Sequence, residues 1–167
     1  VNNSPDVTIR IKKTRNGPIL SGNQFNIKSV VPEGYVASLS WTALSPKNTS
    51  LQSVIRIMKA KNVKEILIAG SEFYAPAQNL VAIDKTTIAM KTIGKIPKRN
   101  VLHTTNAKTP SEGWLSQNRW NGYFPYASNP ENISPKSGTI INTNNRLVNS
   151  EFPYHITYDY GDTQRII

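Results

Sequence analysis

Two apolar runs on either side of a short polar turn constrain the fold of this 167-residue chain more than any other feature. The segment NLVAIDKTTIAMKTIG, Asn79–Gly94, places β-branched and apolar residues before and after the turn residues Asp84–Thr86. Such runs around a short polar turn are typical of a β-hairpin. The sequence therefore predicts an antiparallel hairpin near the middle of the chain.

The segment before this hairpin has the period of a helix. Four apolar residues recur three and four positions apart, namely Leu51, Val54, Ile55 and Met58. That spacing places them on one face of a helix, whose N-terminus Thr49 or Ser50 can cap. The sequence predicts a first helix here, with an ordinary structural role.

A second short helix is predicted to begin at Asn62. Asn62 and Glu65 lie three positions apart and resemble a capping box, in which two side chains satisfy the free N–H groups of a helix start. Ile66 and Leu67 are expected to face inward. The two helices do not alternate with strands in a βαβ pattern, so the predicted class is α+β.

The remaining segments predict further strands and one long irregular tract. Alternating residues favour a strand over Val7–Lys13, and the Asn-Gly sequence of Arg15–Pro18 favours a turn. A second strand region is predicted over Gly34–Leu44. The tract from Ile96 to Ser137 is predicted to be irregular, and the last strands are expected at Gly138–Asn142 and His155–Tyr160.

The composition excludes several kinds of site. The chain has no cysteine, so disulfides and cysteine-based zinc sites are excluded. The ten carboxylates are scattered, which makes a two-carboxylate glycosidase unattractive. The sequence has no phosphate-binding glycine loop and no G-x-S-x-G motif. No apolar run approaches the roughly 18 residues of a membrane span.

The chain is basic, with a formal net charge of +10. Its lysines are scattered, and only KIPKR, Lys95–Arg99, is dense. The sequence has neither zinc-finger spacing nor an RNA-binding aromatic motif. We therefore expect a solvated basic surface and no nucleic-acid partner, while a nucleic-acid-binding domain stays an alternative that steeply salt-dependent affinity would reveal.

Both ends of the sequence favour a chain that is part of a longer protein. It begins at Val1 without a signal-peptide pattern, and it stops at Ile167 without a polar tail. We expect residues 1–167 to form a single domain, a fragment of a longer precursor. This expectation matters for function, because an active site can then be shared with residues outside the chain.

Amide side chains are the most suggestive polar cluster. His103 and His155 are the only histidines, and neither has a metal-ligating partner at close spacing. By contrast, Asn142 ends the predicted strand Gly138–Asn142, and Asn144 and Asn145 follow it directly. A hairpin turn explains such a cluster. Rigidly held amide donors aimed at a developing oxyanion explain it as well.

Six segments in order resemble the penicillin acylase (penicillin amidase) family of N-terminal-nucleophile hydrolases. They are TRNGP (14–18), SWTAL (40–44), YAPAQNLVAID (74–84), GKIPKR (94–99), RWNGYFP (119–125) and NPENISPKSGTIINTNNRLV (129–148). Each segment alone is a weak signal, but their order extends over nearly the whole chain. The resemblance implies that the chain is the central part of a β-subunit with the αββα N-terminal-nucleophile hydrolase fold.

The resemblance also implies a chemistry. Members of the family cleave the amide bond of N-acylated compounds such as penicillins and acyl-homoserine lactones. A precursor cuts itself to expose a Ser, Thr or Cys, and the free α-amine serves as the general base for that nucleophile. An asparagine side chain and a backbone N–H form the oxyanion hole. The nucleophile lies upstream of TRNGP in the family, so the isolated chain is expected to be inactive.

Three residues of this chain match functional positions of the family. Asn144 matches the oxyanion asparagine, and Arg165 matches an arginine that orders that asparagine and the N-terminal residue. Gln78 falls where the family places a residue that lines the acyl pocket. The D-G-N-I turn of the family is DKTTI here, Asp84–Ile88. Some members bind calcium, but no matching carboxylates are found, so no cofactor is expected.

The implied partners are a small acyl amide substrate and the remainder of the acylase α and β chains. Exported relatives imply a periplasmic or secreted location, although the sequence itself assigns no compartment. The alternative is a non-enzymatic homologue that binds a ligand through the aromatic-rich tract Trp114–Tyr126.

Overall fold

The structure is a computed structural model that describes residues 5–22 and 25–157. The chain divides into two compact units, Val1–Trp41 and Thr42–Ile167, and each is described by itself. A domain is defined by independent folding rather than by compactness alone. The single domain predicted over residues 1–167 therefore stays a prediction.

The first unit contains a short hairpin. Strand β1, Lys13–Thr14, pairs antiparallel with β2, Gly17–Pro18, around the two-residue turn Arg15–Asn16. Gly17 has a φ of +124°, and a Cβ at this position would lie 2.0 Å from the Leu39 carbonyl oxygen. Only glycine fits such a conformation and such a close approach. The predicted turn is confirmed.

The strand predicted over Val7–Lys13 is wrong for all but its last residue. Residues 7–12 form no strand, and Val7, Ile9 and Ile11 are each at least 78% exposed. An alternating segment becomes a strand only where a neighbouring strand accepts its N–H and C=O groups. Within the described residues, no strand pairs with Val7–Ile11.

The strand predicted over Gly34–Leu44 is also wrong. Ser38 forms one isolated antiparallel bridge with Ile19, and Leu39 donates its N–H to the Pro18 carbonyl oxygen at 2.9 Å. Thr42–Leu44, at the start of the second unit, form a 3-10 turn instead. Ser38 and Leu39 thus contact the first hairpin without building a full ladder.

The two predicted helices are confirmed at the start of the second unit. Helix α1 comprises Ser50–Lys59, and helix α2 comprises Val63–Gly70. Asn62 caps α2, because its side-chain oxygen accepts the Glu65 N–H at 2.9 Å. The Glu65 carboxylate in turn accepts the N–H of Lys61 at 2.8 Å. The first half of a capping box is therefore present, whereas the return bond of Glu65 reaches the residue before the cap instead of the cap itself.

Helix α1 faces the interior with a small polar residue. Ser53 is fully buried, and its hydroxyl donates to the Ala69 carbonyl oxygen of α2 at 2.7 Å. The four apolar residues at helical spacing are exposed instead, namely Leu51 (70%), Val54 (40%), Ile55 (44%) and Met58 (81%). We call these four residues the α1 apolar stripe.

The predicted central hairpin is confirmed. Strand β3, Gln78–Ile83, pairs antiparallel with β4, Ile88–Ile93, so that Ala82 lies opposite Ala89. The main core consists of Val63, Ala82 and Ala89, with Ile66 and Leu67 packed against it. Small side chains on the sheet allow α2 to approach closely, and the inward direction predicted for Ile66 and Leu67 is confirmed.

The tract predicted to be irregular contains three short strands. They are β5 (Pro97–Arg99), β6 (Trp120–Tyr123) and β7 (Glu131–Ile133). Strands β5 and β6 pair with each other, whereas β7 adds antiparallel to β4 and gives the order β3-β4-β7. Short pairings between distant segments leave little periodicity in a sequence, so this part of the prediction was incomplete. Among the described residues, neither helix has the length and apolarity needed to cross a membrane.

Candidate active site

The asparagine cluster does not follow a strand as predicted. Residues 138–142 form no strand, and Ile141 is 63% exposed. Gly138 has a φ of +67°, and the Ser137 hydroxyl bonds to the backbone of Thr139. Local hydrogen bonds of this kind compete with a ladder, which explains why the β-branched run stays unpaired. The strand predicted from His155 is likewise absent over residues 155–157, and its remainder lies outside the described residues.

Asn144 occupies a strained point of this segment. Its φ is +61°, in the left-handed region that asparagine tolerates better than most residues. Its backbone N–H donates to the Asn142 side-chain oxygen at 3.2 Å. The residue is exposed, and its side-chain amide forms no hydrogen bond with any residue that the structure describes. The amide is therefore a donor available to a ligand.

Asn145 is used inside the same turn. Its side-chain oxygen accepts the N–H and the hydroxyl of Thr143, both at 3.1 Å. Its side-chain nitrogen donates to the Arg146 carbonyl oxygen at 3.1 Å. The two neighbouring asparagines thus differ, because one closes the turn and the other presents a free amide. We call residues Asn142–Asn145 the asparagine turn.

A residue of the central hairpin holds this turn. Asn79, in strand β3, donates from Nδ2 to Oδ1 of Asn142 at 3.2 Å. Sequence reasoning placed Asn142 in the asparagine cluster but missed Asn79. The available signal was an amide near the start of an apolar strand, 63 positions before the asparagine cluster. Only the fold shows that these two amides meet.

Gln78 lies beside this contact but on the other face of the strand. It is the first residue of β3, it is exposed, and it lies opposite Ile93. Successive side chains of a strand point to opposite faces. The side chains of Gln78 and Asn79 therefore point away from each other. The structure brings the Gln78 backbone near the asparagine turn, but the predicted role in an acyl pocket stays a prediction.

The third predicted site residue, Arg165, lies outside the described residues. Its role in ordering Asn144 stays a prediction. Both histidines lie within the described part of the chain. Burial of each imidazole lowers its pKa most, and the nearby charge of Arg99 lowers it further. Nδ1 of His103 accepts the N–H groups of Thr105 and Asn106 at 3.2 Å and 3.0 Å. His103 thus caps a turn.

Residues 5–22 and 25–157 bring together no group of three or more His, Cys, Asp or Glu side chains that could hold a metal ion. The expectation that the chain binds no cofactor is not tested by this observation, since other residues of a longer protein can contribute ligands. Calcium binding, which the family resemblance raised, also stays open to measurement. The asparagine turn itself offers amide donors rather than carboxylate ligands.

A separate groove of about 820 Å³ lies between α2, the turn after β3, and β7. Lys91 lies on its wall, almost fully buried, with its ammonium 2.5 Å from the Glu131 carboxylate and 4.7 Å from the centre of the Tyr126 ring. Burial and the charge of Glu131 raise the Tyr126 pKa to about 12. None of the predicted site residues lines this groove, and the buried ammonium of Lys91 is already paired with the half-exposed Glu131 carboxylate.

Comparisons with known proteins agree with the fold and with the sequence motifs. A sequence model of the penicillin amidase family matches residues 1–167. The solved structure of a thermostable penicillin G acylase from Alcaligenes faecalis superposes with a TM-score of 0.70 at 22% identity, over 95% of this chain and 27% of that one. The predicted α+β class and N-terminal-nucleophile hydrolase fold are confirmed.

Two curated relatives give similar results. Penicillin acylase 2 proenzyme from Pseudomonas sp. (strain SE83) is 26% identical over 160 residues, which are 95% of this chain and 19% of that protein. Acyl-homoserine lactone acylase QuiP from Pseudomonas syringae pv. syringae (strain B728a) is 23% identical over 156 residues, 93% and 18% of the two chains. The chain spans about a fifth of the length of these relatives. By its motifs, its fold and a family match along its entire length, the chain belongs to the penicillin amidase family.

Proposed function

We propose that this chain is the central part of the β-subunit of an amidohydrolase that cleaves the amide bond of N-acylated compounds. The observation that carries the proposal is the free, exposed side-chain amide of Asn144, held at a positive φ in the segment that resembles the oxyanion segment of the family. The names of the relatives, a penicillin acylase and an acyl-homoserine lactone acylase, support a substrate of the acyl amide class.

In the proposed mechanism the attacking residue lies outside this chain. A Ser, Thr or Cys at a new N-terminus attacks the acyl carbon while its own α-amine accepts the proton. The carbonyl oxygen becomes an oxyanion, and the Asn144 amide donates a hydrogen bond to it. A neutral amide suits this role, because it stabilises the developing charge without a charge of its own to desolvate. Arg165 orders Asn144 and the N-terminal amine.

The proposal includes the remaining acylase chains as partners. The relative from strain SE83 is named a proenzyme, which supports a precursor that is processed. The α1 apolar stripe supports a docking role, because an amphipathic helix gains stability by burying its apolar face against other protein. The exposed apolar residues Val7, Ile9 and Ile11 support a second docking surface of the same kind, although residues 7–12 form no strand in this structure.

Contacts within the aromatic-rich tract argue against the alternative of a ligand-binding homologue. Tyr123 makes edge contacts with Tyr74 and Trp120, with ring centres 5.9 Å and 6.2 Å apart. Burial and the Tyr74 hydroxyl raise the Tyr123 pKa to about 12. These rings pack on one another, as expected for aromatic side chains that hold a long connection in place.

The test is Asn144→Gly in the complete processed enzyme. Glycine keeps the positive φ and removes the exposed side chain together with its amide, so the melting temperature should stay nearly unchanged. Loss of one oxyanion donor should lower kcat by about 10²- to 10³-fold. The matched control is Ser134→Gly, which replaces another exposed residue of positive φ, +46°, and should leave kcat unchanged. A kcat for Asn144→Gly within about twofold of the unmodified enzyme would contradict the proposed role.

A further inference from the structure

We infer that Asn79 is a positioning residue that fixes the asparagine turn, and with it the Asn144 amide, to the central sheet; this inference rests on the proposed role of Asn144. The link runs through side chains alone and joins β3 to a segment that forms no strand of its own. An oxyanion donor acts only if it is held in place before the charge develops. A tether to the sheet supplies that restraint.

The sheet end of the tether is rigid. Asn79 lies directly opposite Thr92 in the β3–β4 pair, and the Thr92 hydroxyl donates to the Asn79 side-chain oxygen at 3.0 Å. Thr92 is 7% exposed. Its own backbone is held by two further bonds, because its N–H donates to the Pro130 carbonyl oxygen at 2.8 Å and its carbonyl oxygen accepts the Asn129 side chain at 2.9 Å.

The turn end of the tether is a single oxygen. Oδ1 of Asn142 accepts both the Asn79 side chain and the Asn144 backbone N–H, each at 3.2 Å. A backbone N–H can only donate, so the Asn142 atom that faces it must be the oxygen. Asn79 must then present its NH₂ group to that oxygen and its own oxygen to the Thr92 hydroxyl. One backbone bond at Asn144 thus sets the orientation of every amide in the chain of contacts.

This orientation makes the inference testable with isosteric changes in the complete processed enzyme. Asn79→Asp keeps an acceptor for Thr92 but loses the donor, and it places a carboxylate against the Asn142 oxygen. Asn142→Asp is the conservative variant, because a carboxylate oxygen still accepts from both Asn79 and Asn144. Asn132→Asp is the control. Asn132 of β7 lies opposite Met90 of β4 and therefore on the same face of the sheet as Asn79.

Asn79→Asp should lower kcat by at least about tenfold with KM nearly unchanged, because a displaced oxyanion donor weakens the transition state and not substrate binding. Asn142→Asp should stay within about threefold of the unmodified kcat, and Asn132→Asp within about twofold. If Asn142→Asp loses as much as Asn79→Asp, added charge explains both losses and the inference is wrong.

A failure of this inference differs from a failure of the proposed function. If Asn144→Gly loses activity while Asn79→Asp keeps it, Asn144 acts without the tether. If Asn144→Gly keeps its activity, the oxyanion role itself fails. Should Asn79→Asp prevent folding, Asn142→Ala and Asn142→Asp decide the question at an exposed position, and equal kcat in these two variants would overturn the inference.

Discussion

Asp84 joins two elements through one carboxylate. One oxygen accepts the N–H of Val63 at the start of α2, at 2.9 Å. The other oxygen accepts the N–H groups of Thr86 and Thr87 in the hairpin turn, both at 2.9 Å. These bonds lower the Asp84 pKa to about 2, and the bond from Val63 makes the largest contribution. The carboxylate is also favoured by the positive end of the helix dipole.

Asp84→Asn should therefore destabilise the second unit in a pH-dependent way. A carboxyl whose pKa is lowered by folding stabilises the protein above its ordinary pKa and loses that contribution as the pH falls through the folded value. The melting temperature of the variant should lie below that of the unmodified chain near pH 7. The difference should shrink between about pH 4 and pH 2, the interval that the lowered pKa defines.

Thermal melts of both proteins across this range measure the effect. Glu33→Gln, which neutralises an exposed carboxylate of the first unit, is the control for a general change of charge. A melting difference that stays constant from pH 7 to pH 2 would show that the carboxylate charge of Asp84 contributes nothing.

Gly94 directly follows strand β4 and has a backbone conformation that other residues rarely adopt. Its φ is +103°, and a Cβ there would lie 2.7 Å from the Cα atom of Ala77. We expect Gly94→Ala to cost more than the roughly 1–2 kcal/mol of left-handed strain alone, because the backbone of Ala77 must also move. Gly122→Ala is the matched control, with a φ of +78° and open space around the added atom. Equal unfolding free energies in urea for the two variants would refute the steric argument.

Elements specified by local sequence signals were predicted correctly. Elements that depend on a partner distant in sequence were not. The helix pair and the central hairpin are specified by neighbours in sequence, such as the bond between Asn62 and Glu65. The strands predicted over Val7–Lys13 and Gly138–Asn142 needed pairing partners that the described residues do not supply. Strand β7 was missed because its pairing with β4 joins residues about 40 positions apart.

Substitutions on the two faces of α1 should change the unfolding free energy by very different amounts. Ser53→Leu forces a large side chain into a fully buried site and should cost about 1–3 kcal/mol of unfolding free energy in this chain. Met58→Gln changes an exposed side chain and should alter that free energy by less than about 0.5 kcal/mol. Chemical denaturation of both variants measures the difference, and a comparable cost for Met58→Gln would show that the α1 apolar stripe already has a partner within the chain.

Across the whole molecule, the candidate site was only partly predictable. The sequence motifs identified Asn144, because a family resemblance depends on residues close together in the chain. Asn79 and Asn142 contact each other across 63 positions, and no periodicity or spacing connects them. The buried threonine behind them, Thr92, carries no local sign of its role. The Asn79–Thr92 contact is set by strand register and the Asn79–Asn142 contact by the path of a distant turn, and the sequence of the strand alone reports neither.

The isolated chain should not turn over an acyl amide. It contributes the oxyanion donor of the proposed mechanism, but without the nucleophile no acyl-enzyme can form. Hydrolysis of a chromogenic acyl amide, compared with a heat-denatured sample, measures this directly. Turnover above the denatured control would place a nucleophile within residues 1–167 and would contradict the proposed division of the active site.

The positive φ of Asn144 also limits how this position can drift in evolution. Glycine accepts the backbone but lacks the amide, and aspartate accepts the backbone but presents an acceptor where a donor is needed. Glutamine carries the amide on a longer side chain, and it adopts the left-handed region less readily than asparagine. If Asn144 acts as proposed, none of these three substitutions is conservative. Each chemically similar residue loses either the amide donor or the ready acceptance of a positive φ.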